Sequence, residues 1–233
     1  MIRSILQSIQ GSGSRAAAAF AEAPSSPWLI SYPRTGSHWL RMILERATDR
    51  PVLPRSFFEH DHERYLLVHS HDFEFKQEPG KLIYLYRDPV PTVFSQIKFH
   101  GQDPRESYFA TLWSDLYRLR LRHWLTRPHE DRTLVRYESL AADGVREVGA
   151  VLAAVGEDVE AERLSQVMRE IDHHMVIQKT KHDPRVMNAE HDYEAQRSQF
   201  IERFGAMVRA RVVEHGGLER WFGHLEPLSQ EAA

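Results

Sequence analysis

The chain of 233 residues contains no cysteine. That absence excludes a disulfide framework, a thiolate nucleophile and any cysteine-ligated metal site. It also fits a reducing compartment, and a cytoplasmic location is expected. Lysine is scarce too: of the 30 Lys and Arg residues, only Lys76, Lys81, Lys98, Lys179 and Lys181 are lysine. A large excess of either charge is missing as well. The formal net charge is -3, so no overall basic field exists for nucleic acid, and any anion site has to be local. No apolar run approaches the roughly 20 residues of a transmembrane helix. Histidines number 14, yet no pair sits at metal-ligand spacing on a clear helix, so no metal site is expected.

The residues present describe an ordinary globular chain, 42% hydrophobic and 27% charged, of a length that suits one domain. Gly11, Ser12, Gly13 and Ser14 interrupt the short apolar N-terminal segment, which is a poor match to a signal peptide. Residues 1–26 are therefore expected to be a mobile or weakly helical tail. Residues 27–225 are expected to form a single domain, followed by a C-terminal tail over 226–233.

The most informative stretch runs from Trp28 to Leu44. An apolar run through Ile30 leads into Ser31-Tyr32. Pro33, Thr35 and Gly36 break it, and Trp39, Leu40, Ile43 and Leu44 then recur at helical spacing. The pattern predicts strand, tight loop and helix, with Thr35 or Ser37 as the helix cap. Such a loop aims backbone N–H groups and a helix N-terminus at one spot, which suits a phosphate or similar oxyanion. Arg34 adds a planar, permanent positive charge. A nucleotide-hydrolysing loop would continue Gly-Lys-Ser/Thr, with the hydroxyl on magnesium. Here Ser37 and His38 follow Gly36, so the loop is read as a phosphate cradle without the magnesium end.

Further strands are expected at Tyr65–Val68, at Lys81–Tyr86 and at Thr133–Tyr137. Helices are expected with Pro91 in the first turn and an end near His100, and at Arg105–Thr126, Gly144–Val155, Ala161–Val176 and Glu194–Arg211. Strands alternating with helices predict an α/β fold with a mostly parallel central sheet flanked by helices. In such sheets ligands sit beyond the carboxyl ends of the strands. Arg34, His71, Arg87 and Tyr137 all fall at or just after an expected strand end, which makes one composite site plausible. Arg87 can grip a phosphate with two parallel hydrogen bonds, and the Ser95 hydroxyl on the next helix can add a third. His71 can take a proton near neutral pH. His69 competes for that role, and strand alternation is expected to turn it to the opposite face. Tyr137 offers a flat face to a nucleobase. Phe109, Trp113 and Trp124 read as core.

Taken together, the blocks resemble the sulfotransferases that use 3′-phosphoadenosine 5′-phosphosulfate (PAPS). Ser31–Leu40 looks like that family's 5′-phosphosulfate loop. Lys81–Pro89, with Ser95 eight residues after Arg87, looks like its 3′-phosphate motif. His69-Ser70-His71 matches the strand end that supplies the catalytic base, and Leu134–Leu140 is similar to the strand that brings a tyrosine to the adenine. The resemblance covers roughly residues 28–215 and implies a P-loop-like sulfotransferase fold. It implies PAPS as co-substrate, no metal, and a small-molecule, carbohydrate or lipid acceptor. The site it implies comprises His71 and Arg34 as catalytic groups. Arg34, Thr35, Gly36, Ser37, His38, Trp39, Arg87, Ser95 and Tyr137 would bind the nucleotide. Two departures stand out: Arg34 occupies the place of the family's lysine, and the C-terminal Arg-Lys-Gly loop has no recognisable counterpart unless Lys179, Lys181 or Arg185 replaces it. Competing expectations are a magnesium-dependent kinase on a related fold and a catalytically silent nucleotide-binding protein.

Overall fold

The computed structural model describes residues 15–75, 80–180 and 192–223. They fall into two compact units. The first holds the described residues up to Arg87 and those from His129 to 180, and the second holds Asp88–Pro128 and 192–223.

The first unit is built on a four-stranded sheet, all of it parallel. Its strands are β1 (Pro27–Ser31), β2 (Val68–Ser70), β3 (Lys81–Tyr86) and β4 (Arg132–Arg136), in spatial order β2-β1-β3-β4. Ser31 pairs with Leu85, and Tyr86 with Arg136, so the strands end along one edge. Every residue of Leu82–Tyr86 is buried, which explains the near-continuous apolar run of β3. Leu29, Ile83, Leu85 and Val135 supply sheet residues to the core cluster. Helices α2 (Ser37–Thr48), α6 (Gly144–Ala154) and α7 (Ala161–Glu170) supply Leu40, Ile43, Leu44, Val148, Val151, Leu152, Leu164 and Val167 to it.

Three sequence expectations shift. The run Tyr65–Val68 is not the strand; β2 starts at Val68. The main chain ahead of it is taken by another segment, since Leu66 N–H donates to the Pro51 carbonyl and Leu53 N–H to that of Leu67. The helix expected over Ala161–Val176 is two helices, because α7 stops at Glu170 and α8 (His173–Thr180) starts anew. Asp172 makes the break by accepting the Met175 N–H at 2.8 Å. Buried Val167, Ile171 and Val176 carry the apolar pattern across it, so periodicity alone hid the boundary. Finally, Arg15–Glu22, within the expected tail, forms a helix, α1, with Ala17 and Ala21 buried. Phe20 packs on Tyr65 at 5.7 Å.

The second unit is helical. Helix α3 (Pro89–Phe99) begins at Pro89 and so keeps Pro91 in its first turn, with the Asp88 carboxylate accepting the Val90 N–H at 2.8 Å. Phe94 packs on Tyr193 and Phe200 of α9 (Tyr193–Arg209) at 5.2 and 5.4 Å. Arg211, in the π-turn Ala210–Glu214, makes a bidentate pair with Asp115 of α4 (Ser107–Thr126), at 2.8 and 2.7 Å. Trp124 is core as expected, whereas Phe109 and Trp113 are half-buried. Trp113 stacks on His100 at 4.6 Å and donates to Gln102 at 2.7 Å. Ser95 is buried on α3. No helix among the described residues is long and apolar enough to cross a membrane.

Candidate active site

Parallel pairing puts the carboxyl ends of all four strands on one edge, and each is followed by a residue the sequence singles out. Arg34 follows β1, His71 follows β2, Arg87 follows β3 and Tyr137 follows β4. The chain turns left from β1 to β2 and right from β3 to β4, so the sheet changes direction between β1 and β3. That switch point is where open α/β sheets hold ligands.

The loop after β1 is held in an unusual backbone conformation. Arg34 has φ 72° and Gly36 has φ 93°. A non-glycine residue at positive φ is strained, and such strain concentrates at functional sites. Thr35 is fully buried, and its hydroxyl donates to the Tyr32 carbonyl at 2.7 Å. Thr35 therefore clamps the loop and does not cap α2. Ser37 is not the cap either, since it is the first helical residue; Gly36 is the N-cap. Glycine has no side chain to offer, so the first-turn N–H groups have no capping acceptor within the helix.

Tyr137 opens the short helix α5 (Tyr137–Ala142), and the Cδ2–Cε2 edge of its ring fills the space beside Gly36. A Cβ on Gly36 would come within 2.5 Å of the Tyr137 Cδ2. The Arg87 guanidinium carbon lies over the ring, 4.2 Å from its centroid, and its Nη1 donates to the Arg34 carbonyl at 3.4 Å. Trp39 meets the Tyr137 ring edge-on at 5.9 Å, and its indole N–H is anchored on the Ile171 carbonyl at 2.8 Å. Arg34, Gly36, Trp39, Arg87 and Tyr137 thus form one continuous surface.

His71 is half-buried beside this surface, with Nδ1 2.8 Å from the Ser31 carbonyl oxygen and 3.3 Å from Ser31 Oγ. A carbonyl only accepts, so Nδ1 carries the proton and Nε2 the lone pair. His69 does not point to the opposite face. Strand alternation sends residues two apart to the same face, and the His69 ring meets that of His71 edge-on at 4.8 Å. His69 is buried, and burial, reinforced by Arg41, His71 and His38, holds its pKa well below the usual value. His38 packs against Phe57 at 5.2 Å. Burial, then Arg41, Arg55, His71 and Arg34, lower its pKa to about 3. Both imidazoles are neutral at physiological pH.

Ser95 belongs to the second unit and is described there. Lys179, on α8, places its ammonium 4.7 Å from the Phe58 ring centroid, while Lys181 and Arg185 lie outside the described residues. No group of three or more His, Asp or Glu that could hold a metal occurs among the described residues.

The sequence reading missed the polar stripe behind the site. Ser37, Arg41 and Glu45 recur every four residues on the buried side of α2. Arg41 Nη1 lies 3.4 Å from His69 Nδ1, and its Nη2 donates to the Arg55 carbonyl. Glu45 Oε2 accepts from the Ser56 hydroxyl at 2.7 Å and from the Phe57 N–H at 2.8 Å. The signal was available, because Arg41 within the apolar run Trp39–Leu44 and Glu45 directly after it, four apart, are out of place on a purely hydrophobic face.

A strand-end loop, two arginines, an aromatic ring and a histidine thus lie at the carboxyl edge of a parallel sheet. The family model for the sulfotransferase domain matches residues 24–207 and spans both units, so the chain belongs to the sulfotransferase family and is an enzyme of that class. No curated protein sequence matches it. Among solved structures, it is similar to mouse sulfotransferase SULT7A1, crystallised in complex with PAP, at 17% identity and a TM-score of 0.54. The match covers 94% of this chain and 93% of that one, and shows a shared fold.

Proposed function

We propose that this enzyme transfers the sulfuryl group of PAPS to a hydroxyl or amine of a small-molecule, carbohydrate or lipid acceptor, by direct in-line displacement. The observation that carries this reading is the Tyr137 ring, which meets Gly36 with its edge and Arg87 with its face, Arg87 being tied to Arg34 by the 3.4 Å hydrogen bond. It joins the two motifs that would hold the two ends of the nucleotide. The residues suit the group: the cradle offers only donors, from Arg34 and the first turn of α2, and Arg87 can only donate.

PAPS would supply the sulfuryl group and leave as PAP. Arg34 and the backbone N–H groups of Thr35–Trp39 would bind the 5′-phosphosulfate and stabilise charge on the leaving oxygen, help worth several kcal/mol. Arg87 and Ser95 would bind the 3′-phosphate, and Tyr137 would face the adenine. His71 Nε2 would take the proton of the acceptor hydroxyl as its oxygen bonds to sulfur and the sulfur–oxygen bond to PAP breaks. The arginine at position 34 gives two forked donors where a lysine would give a point charge.

The test is calorimetric binding of PAP against AMP and ATP, in wild type and Arg87→Ala. A preference for PAP that collapses in Arg87→Ala is the expected result. Equal affinity for AMP and PAP would sink the assignment of Arg87 to the 3′-phosphate.

A further inference from the structure

Three buried residues and the half-buried His71 form a polar chain that the transfer reaction does not by itself require. It runs from Arg41 Nη1 to His69 Nδ1 at 3.4 Å, from His69 Nε2 to Ser31 Oγ at 3.0 Å, and from Ser31 to His71 Nδ1. Arg41, His69 and Ser31 are each less than a tenth exposed.

The two ends of this chain cannot reverse. Arginine has only donors, so the His69 Nδ1 it faces must be the unprotonated nitrogen, and the His69 proton sits on Nε2. That proton points at Ser31 Oγ. At the other end the Ser31 carbonyl has only lone pairs, so His71 Nδ1 must carry a hydrogen. The Ser31 hydroxyl oxygen then accepts twice, once from each ring, which uses both of its lone pairs. Every link has a single allowed direction. In the alternative tautomer of either ring, a donor would face a donor or an acceptor an acceptor inside a buried site, at a cost of about 1–3 kcal/mol.

We propose that Ser31 and His69, backed by Arg41, are positioning residues that lock His71 in the Nδ1–H tautomer and leave its lone pair on Nε2 for the acceptor's proton. The proposal rests on His71 being the base. When His71 takes the proton, its Nδ1–H gains strength as a donor to both Ser31 oxygens, so the same contacts stabilise the imidazolium. His69 stays neutral throughout, as its burial beside Arg41 dictates. A lysine there would place a second full charge against Arg41.

Two measurements test this. The first is the 15N spectrum of the histidine rings in the full chain, assigned with His69→Gln and His71→Ala. The expected result is Nδ1–H at His71 and Nε2–H at His69; the opposite tautomer at either ring overturns the proposal whether or not the protein turns over. The second is steady-state kinetics with PAPS and a generic phenol or sugar acceptor. A positioned base contributes about 100-fold or more, and loss of its orientation alone should forfeit about tenfold of that. His69→Leu and Ser31→Ala should therefore lower kcat about tenfold while PAP affinity holds. His69→Gln, whose amide can accept from Arg41 and donate to Ser31, should recover most of the loss. Equal kcat in His69→Leu and His69→Gln overturns the proposal. Correct tautomers together with undiminished turnover in His71→Ala would instead overturn the role of His71 as base.

Discussion

Gly36 shows how much one residue can decide. Its φ of 93° lies in the left-handed region, and the Tyr137 ring fills the space a side chain would need. Left-handed backbone costs an L-residue about 1–2 kcal/mol, and alanine there must also push the ring aside. Since about 1.4 kcal/mol is tenfold in binding, Gly36→Ala should weaken PAP binding by about tenfold or more. Calorimetry would show this, and near-wild-type affinity would mean that the ring is not part of the nucleotide surface. Arg34, at φ 72°, carries comparable strain without being glycine. The motif made both residues visible as a loop, but the ring that makes glycine obligatory comes from a residue about 100 positions away.

At the scale of an element, α2 does two jobs. In the proposed function its N-terminus forms the cradle, and its buried stripe of Ser37, Arg41 and Glu45 reaches back to the histidines. Glu45 is fully buried and holds the loop at Ser56–Phe58 through Oε2, with His60 Nε2 3.8 Å away. Removing one partner of a buried ionic group leaves the others unsatisfied, typically at a cost of about 3–5 kcal/mol. Glu45→Ala should lower unfolding stability by about 3 kcal/mol, and Glu45→Gln, which keeps an acceptor, by less. Chemical denaturation decides it; a loss below about 1 kcal/mol for Glu45→Ala would show that the loop is held by other contacts. Periodicity placed the start of α4 to within two residues and its end at Thr126. The break at Ile171 escaped because the apolar pattern continues through it.

For the whole molecule, the buried histidines set a pH dependence. His38 and His69 are neutral when folded, with pKa values near 3 and well below the ordinary value, and protonate near 6.5 when unfolded. The unfolded chain therefore binds more protons, so their contribution is complete above about pH 6.5 and is lost as pH falls towards the folded values. Between about pH 7.5 and 5.5 the two should remove about 2–3 kcal/mol of stability. Glu45, whose pKa burial raises, works in the opposite sense. Comparing wild type with His69→Gln isolates the histidine: the variant should lose about half as much stability over that range. Identical pH slopes would mean that His69 is protonated in the folded protein.

Sequence by itself determined the parallel α/β architecture, the strand–loop–helix after β1, and the placement of Arg34, His71, Arg87 and Tyr137 at strand ends. Those features are local: period, glycine and proline punctuation, and the rule that parallel sheets work at their carboxyl edge. Tertiary structure alone decided that the Tyr137 ring meets both Gly36 and Arg87, and that Ser31 ties His69 to His71. Each of these depends on contacts between segments roughly 30 to 100 residues apart. Packing and burial, which no local pattern encodes, fix which partners are within reach and which protons each nitrogen can keep.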